Sequence, residues 1–231
     1  MHKVRTRTPE RCTDTRGGPY DDQMPGPVAQ DFPIFPLGLV ALPHEFVPLH
    51  IFEPRYRTMV AEALERESEF GIVWRDEEGL RDIGCAVEIT RVLERMEDGR
   101  INIVARGTRA FRIIETVESL PYPAATISWV EDELEEDDTR AGEAAQSAYA
   151  ELVEQATDKE LDADELAAMG AYAMAATVDF GLEAKQNLLE LRSENARLRL
   201  VTRLFRAATK RLDFIERAQV RASSNGKVRF G

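Results

Sequence analysis

Four side chains able to hold a metal or move a proton cluster between residues 44 and 53: His44, Glu45, His50 and Glu53. A hydrolytic zinc site of the H-E-x-x-H type needs its histidines four apart on one helix face. Here they are six apart, in a stretch that reads as turn and strand, so no metal and no other cofactor is expected. Serines stand at positions 68, 119, 128, 147, 193, 223 and 224, none in a G-x-S-x-G elbow and none with a base placed by a recognisable motif. No G-x-x-x-x-G-K-[ST] loop is present to wrap a nucleotide's phosphates in backbone amides. The expectation is a chain with no catalytic residue. An enzyme of unrecognised type is the alternative, and it would need a pocket with paired acid and base groups.

Arg91, Arg95, Arg100, Arg106, Arg109 and Arg112 lie along consecutive expected strands and raise the possibility of an RNA surface. Phosphate attraction dominates nucleic-acid affinity, yet residues 1–130 carry 16 basic and 21 acidic groups, a balance of −5, and no aromatic ladder interleaves the arginines. Nucleic acid is disfavoured as a partner, with RNA binding kept as the rival. Residues 131–191 stand at −15 and residues 192–231 at +8. This polarity favours a basic carboxyl-terminal helix lying on the acidic helices before it, or two molecules meeting tail to middle.

The elements that must position these residues follow from periodicity. Phe32 to Leu42 has the apolar density of buried strand, punctuated by Pro33, Pro36 and Pro43, which point to short or edge strands. Val47, Leu49 and Ile51 then alternate with Pro48, His50 and Phe52. At Pro54 the period changes to that of a helix, with Tyr56, Met59, Val60, Ala63 and Leu64 on one face, Glu53 as its cap, and Arg55 free to pair with a nearby carboxylate or carbonyl. Further strands are expected at 70–74, around Cys85 to Ile89, across the Asp98-Gly99 turn to Ala105, at 111–117 and at 125–129. The acidic run EDELEEDD reads as a solvated linker that caps the next helix. Helices are expected over 139–156, 163–178, 182–191 and 194–221, with Asp162 capping the second and Ser193 the fourth. In the last, Leu198, Val201, Phe205, Ala208, Leu212 and Ile215 form a short heptad seam, for packing on the protein's own helices or for a homodimer through 194–221.

The run FPL…LP…PLHIFEPRY, together with Lys185-Gln186 in LEAKQNLLE and Arg197-Leu198 beyond it, resembles the substrate-binding amino-terminal domain of Lon proteases. The resemblance spans about Asp31 to Phe214 and implies an α+β fold: a PUA-like small β-barrel followed by an α-helical bundle ending in a long carboxyl-terminal helix. It implies a stand-alone, non-catalytic recognition module, without the ATPase and peptidase domains of full-length Lon. Its partners would be unfolded or exposed apolar protein segments, and a protease or chaperone, in protein quality control or proteolysis. Phe35, Leu37, Phe46, His50 and Arg55 are the expected substrate-binding residues, with Phe35 and Phe46 exposed at a rim. Pro36, Pro43, Phe52, Glu53, Pro54, Tyr56, Lys185 and Gln186 are expected to be structural, Phe52 as core.

The expected organisation is a disordered tail at 1–30, a barrel at 31–130, the acidic linker at 131–138, a helical subdomain at 139–221 and a flexible tail at 222–231, with Met24 as an alternative start. Two cysteines, Cys12 and Cys85, are too few for a disulfide framework and fit a reducing cytoplasm. The longest uncharged runs, such as Leu166 to Val178, are 13 residues, short of the roughly 20 that span a bilayer, so no membrane association is expected.

Overall fold

The computed structural model describes residues 26–225. Short apolar stretches become strands, alternating in burial along β2 and continuously buried in β3, and stretches spaced by three and four become helices. Their order is β1 (Val28–Leu37), β2 (Phe46–Ile51), α1 (Pro54–Arg66), β3 (Phe70–Trp74), β4 (Ile83–Arg95), β5 (Ile101–Val117), β6 (Ala124–Trp129), α2 (Thr139–Thr157), α3 (Ala163–Ala167), α4 (Ala171–Ala175), α5 (Leu182–Glu190) and α6 (Glu194–Asn225). The expected tails lie in part outside the described residues, as do Cys12 and Met24. Where the tails are described they are corrected: strand begins at Val28, and helix runs through residues 222–225.

The strands form a mixed six-stranded sheet in the order β2-β5-β4-β3-β1-β6, and an added β5–β6 pairing closes five of them into a ring with β2 attached outside. One long strand makes this possible. The first part of β5, Ile101–Arg106, holds β2, and its second part, Phe111–Val117, holds β6. Gly107 sits between them, where a Cβ would stand 2.0 Å from the Leu42 carbonyl oxygen, so the β1–β2 loop can close on the strand only at a glycine. Pro33 and Pro36 are not at a sheet edge. Pro33 is the last residue of β1 that pairs with β6, and Pro36 lies in Ile34–Leu37, which pairs with β3 alone, so neither has a strand partner in register on both sides.

The ring is filled by Phe32, Ile34, Val73, Ala86, Phe111, Ala125 and Ile127. A Cβ on Gly71 would lie 2.4 Å from the Phe111 ring, so the small residue makes room for the large one. The outer side of β1, β3 and β4 carries Phe35, Ile72 and Cys85 into a second core shared with α1 and the later helices. β3, with the second half of β1 and the first five residues of β4, is therefore covered on both faces.

In the helical half, α2 and α6 run parallel: Asp138 N donates to Asn195 Oδ1 at one end, and Gln155 Nε2 donates to Asp213 Oδ1 at the other. The helix expected over 163–178 is broken into α3 and α4 at Gly170, because the amide of Ala171 is taken by the Glu194 carboxylate at 2.7 Å. Asp162 and Ser193 cap as their types suggest, accepting from Glu165 N and Ala196 N. The acidic run is more than a solvated spacer. Asp132 pairs with Arg197, Glu135 accepts from Ser193 Oγ and Asn195 N, and Asp138 caps α2 while meeting Arg199 at 2.6 Å. It straps the start of α6 to the sheet. Lys185 and Gln186 tie the halves together as well: Lys185 Nζ lies 2.5 Å from Glu45 Oε1, and buried Gln186 donates to the Ile83 carbonyl at 3.2 Å.

Candidate functional site

Strand β2 is terminal in the sheet order, so one of its edges has no strand partner among the described residues. Its burial alternates strictly: Val47, Leu49 and Ile51 face the core while Phe46, Pro48 and His50 face out. Phe52 continues that outward row at 58% exposure, and Phe46 begins it at 61%. Two exposed phenylalanines on one face of an open edge strand form an apolar row that the fold does not use internally.

The row has a polar floor. His50 lies opposite Asn102 on β5, and its Nδ1 is 2.6 Å from Asn102 Oδ1. Asn102 Nδ2 donates to Glu94 Oε2 at 3.0 Å, so the amide oxygen must be the acceptor, and His50 Nδ1 must carry the proton. On the neutral ring Nε2 is then an acceptor. The same ring stacks on Phe52 with centroids 5.9 Å apart. Opposite Phe46 stands Arg106, held by Glu88 through contacts of 2.7 and 3.0 Å.

Arg55 and Glu53 border the row at the start of α1. Glu53 occupies the cap position, but its carboxylate accepts no helix amide. It binds the Arg55 guanidinium at 2.8 Å, which also lies over the Tyr56 ring at 4.6 Å. Pro54 opens the helix and Tyr56 is buried. Burial raises the Tyr56 phenol above its usual range, partly offset by the nearby Arg55 charge.

Two expectations about placement are corrected, those for Phe35 and Phe52. Phe35 is buried at 5% exposure, packed on Tyr56 at 4.2 Å, because α1 covers the outer side of β1. Leu37 is likewise half-buried against the same core. Phe52 is exposed, since it keeps the outward phase of β2 beyond the strand's last residue. Phe46, His50 and Arg55 lie on the surface, whereas Pro43 is buried in the β1–β2 loop and Pro36 pairs opposite Val73. The metal-capable residues are not brought together: among the described residues no group of three or more His, Cys, Asp or Glu side chains is arranged to hold an ion. Of the six arginines, Arg100 in the β4–β5 turn and Arg106 and Arg109 on β5 are paired with Asp98, Glu88 and Glu69, which lowers the net positive field such a face could offer to phosphates.

A second concavity was not expected from sequence. It is an apolar groove of about 980 Å³ between α2, the 177–181 loop and α6. The signal available in the sequence was the α6 seam, whose later members Leu212 and Ile215 line it.

The model of the ATP-dependent protease La (Lon) substrate-binding domain matches residues 31–207. The chain belongs to the Lon substrate-binding domain family. A Lon protease of Parabacteroides distasonis is 32% identical over 114 residues, covering 46% of this chain and 14% of that protein. A Lon protease of Anaeromyxobacter dehalogenans is 28% identical over 189 residues, covering 74% of this chain and 22% of that protein. The chain thus spans less than a quarter of the length of these curated relatives. The fold matches the crystal structure of a Lon N-terminal domain protein from Xanthomonas campestris, at a TM-score of 0.56 and 24% identity over 72% of this chain and 94% of the other. It also matches the N-terminal domain of a Mycobacterium avium complex Lon protease, at 0.58 and 22% over 75% and 97%. The matched family is the substrate-binding part of Lon and not its catalytic part. Among the described residues, no helix of this Lon-type domain is long and apolar enough to cross a membrane.

Proposed function

We propose that this Lon-type domain binds exposed apolar or unfolded segments of other proteins along the open edge of β2, without acting on them chemically. The observation that carries the reading is the pair Phe46 and Phe52, 61% and 58% exposed on one face of a terminal strand. An extended chain added beside β2 gains main-chain hydrogen bonds from the strand, while its alternate side chains meet the phenylalanine row. Pro48 removes one donor from that strand and so limits uncontrolled pairing. His50 Nε2 and the Arg55 guanidinium add polar contacts at the same face. The role that follows is selection of damaged or unfolded cytoplasmic chains for a protease or chaperone partner.

The test is binding of a fluorescein-labelled, reduced and carboxymethylated lactalbumin, a permanently unfolded protein, followed by anisotropy. Phe46→Ala with Phe52→Ala is expected to raise Kd at least about tenfold, the size of effect that aromatic anchors give. The melting temperature should stay within about 2 °C, since both rings are largely solvated in the free domain. Phe35→Ala is the contrast and should cost about 3 to 5 kcal/mol of stability through the cavity it leaves. A double variant that binds as tightly as the parent would remove the row from recognition.

A further inference from the structure

The backbone bonds at the root of β2 fix which of its groups the open edge presents. His44 N donates to the Gly107 carbonyl at 2.8 Å, and Gly107 N donates to the Glu45 carbonyl at 2.9 Å. Bonded and non-bonded pairs alternate along antiparallel strands, so the next residues of β2 bonded to β5 are Val47, Leu49 and Ile51. Phe46, Pro48 and His50 turn their main-chain groups the other way, to the side where no strand pairs among the described residues. The Val104 carbonyl, opposite Pro48, agrees with this phase: it accepts from Thr90 Oγ1 of β4 at 3.0 Å. Pro48 has no N–H to offer. An added chain can therefore exchange both main-chain bonds only opposite Phe46 and His50.

Of these two positions His50 carries the polar side chain, and its ring is already held. Nδ1 donates to Asn102 Oδ1 at 2.6 Å, and Asn102 is itself oriented by donating from Nδ2 to Glu94 Oε2 at 3.0 Å. The two ring nitrogens point to nearly opposite sides, so with Nδ1 aimed at β5 the acceptor Nε2 is aimed away from it, toward the open edge. Nε2 has no hydrogen-bond partner among the described residues. Phe52 stacks on the same ring, which leaves a single acceptor set beside an apolar surface.

We propose that His50 sets specificity within the β2 site: the bound segment places a side chain that donates a hydrogen bond opposite His50, next to its apolar residues, and Asn102 is the positioning residue that keeps Nε2 an acceptor. This specificity rests on the proposed use of β2 and narrows it, from apolar segments in general to those with an indole, amide or hydroxyl donor at one position. A segment with only hydrocarbon there covers Nε2 without satisfying it, which costs affinity. A donor-only group separates the two cases most cleanly, since a hydroxyl could also accept from the other tautomer.

Two fluorescein-labelled, glycine-flanked peptides test this on the full chain: Val-Ala-Trp-Ala-Val, and the same sequence with naphthylalanine, which has the bulk of tryptophan but no N–H, in place of the tryptophan. Followed by anisotropy, the parent should bind the tryptophan peptide about fivefold more tightly, the size of one net hydrogen bond. His50→Phe, which keeps a ring beside Phe52 but has no acceptor, should bind the two peptides within about twofold of each other. Asn102→Leu should lose the preference as well, and nitrogen NMR of the neutral imidazole should show the proton confined to Nδ1 in the parent and released from it in this variant. Equal binding or no binding of the two peptides by the parent, a full preference kept by His50→Phe or Asn102→Leu, or a parent ring protonated at Nε2 would each overturn the proposal. Phe46→Ala with Phe52→Ala separates the two failures: equal binding that this change weakens spares the β2 site, and equal binding that it leaves untouched removes the site as well.

Discussion

The pair Lys185 and Glu45 shows how much of this fold rests on single side chains. The two lie 140 positions apart in sequence, 2.5 Å apart in space and at 13% and 15% exposure, and the second Glu45 oxygen accepts from Leu42 N. Lys185→Met strands a carboxylate in a largely buried loop and is expected to cost about 3 to 5 kcal/mol, whereas adding Glu45→Gln should return much of it. Urea denaturation of the two variants and the parent measures this. A loss below about 1 kcal/mol would mean that the pair is solvated and not a clamp. Each of these residues could be singled out from sequence by type or motif, but not their meeting, because a contact between distant segments leaves no periodic trace. Phe52 is the opposite case. Its outward direction was written in the alternation Val47, Leu49, Ile51 against Pro48, His50, Phe52, although its place among the motif residues taken as structural led to the expectation of core. Phe35 could not be placed by alternation at all, since β1 is covered on both faces and Ile34 and Phe35 are both buried.

At the scale of elements, short helices are held by partners that sequence does not reveal. Gly170 and the Glu194 carboxylate set the boundary between α3 and α4, and α4 is then fixed by Tyr172, whose hydroxyl donates to the Leu188 carbonyl at 3.1 Å while Arg197 lies over its ring at 4.5 Å. Burial pushes the Tyr172 phenol up to about 12, against the opposing pull of Arg197. The ordinary value of a solvated tyrosine is 10.0, so the unfolded chain releases this proton first as pH rises. The associated stability is fully present below about pH 10 and is lost as pH climbs through about 12. Tyr172→Phe should therefore be less stable at pH 8 but show a shallower decline between pH 9 and 11 when urea midpoints are compared. Equal slopes would show that the phenol is solvated. The strands were more legible than these helices, because Asp98-Gly99 and the alternation around it define a hairpin locally. The continuity of β5 was not, since it depends on Gly107 meeting Leu42 from another segment.

At the scale of the whole molecule, charge polarity and the division into sheet and helices are two views of one design. The basic start of α6 is bound to the acidic run through Arg197–Asp132 and Arg199–Asp138, which realises the intramolecular reading of the polarity. Lys185 and Gln186 reach from α5 to the loop before β2 and to β4. The edge strand is thus fixed at its root and open along its side, as the proposed addition of an incoming chain requires. The family was legible in the sequence because its motif residues cluster at this root. Of the proposed recognition surface, Phe46, His50 and Arg55 could be named from sequence and lie exposed, whereas Phe52 was expected in the core and is exposed. Hydrogen–deuterium exchange with and without saturating unfolded lactalbumin tests the edge-strand account most directly. Slowed exchange is expected in β2, in the amides of Phe46–Ile51 other than Pro48, which has none, with little change across the ring strands β1, β3 and β6. Protection absent from β2, or confined to the α2–α6 groove, would contradict it.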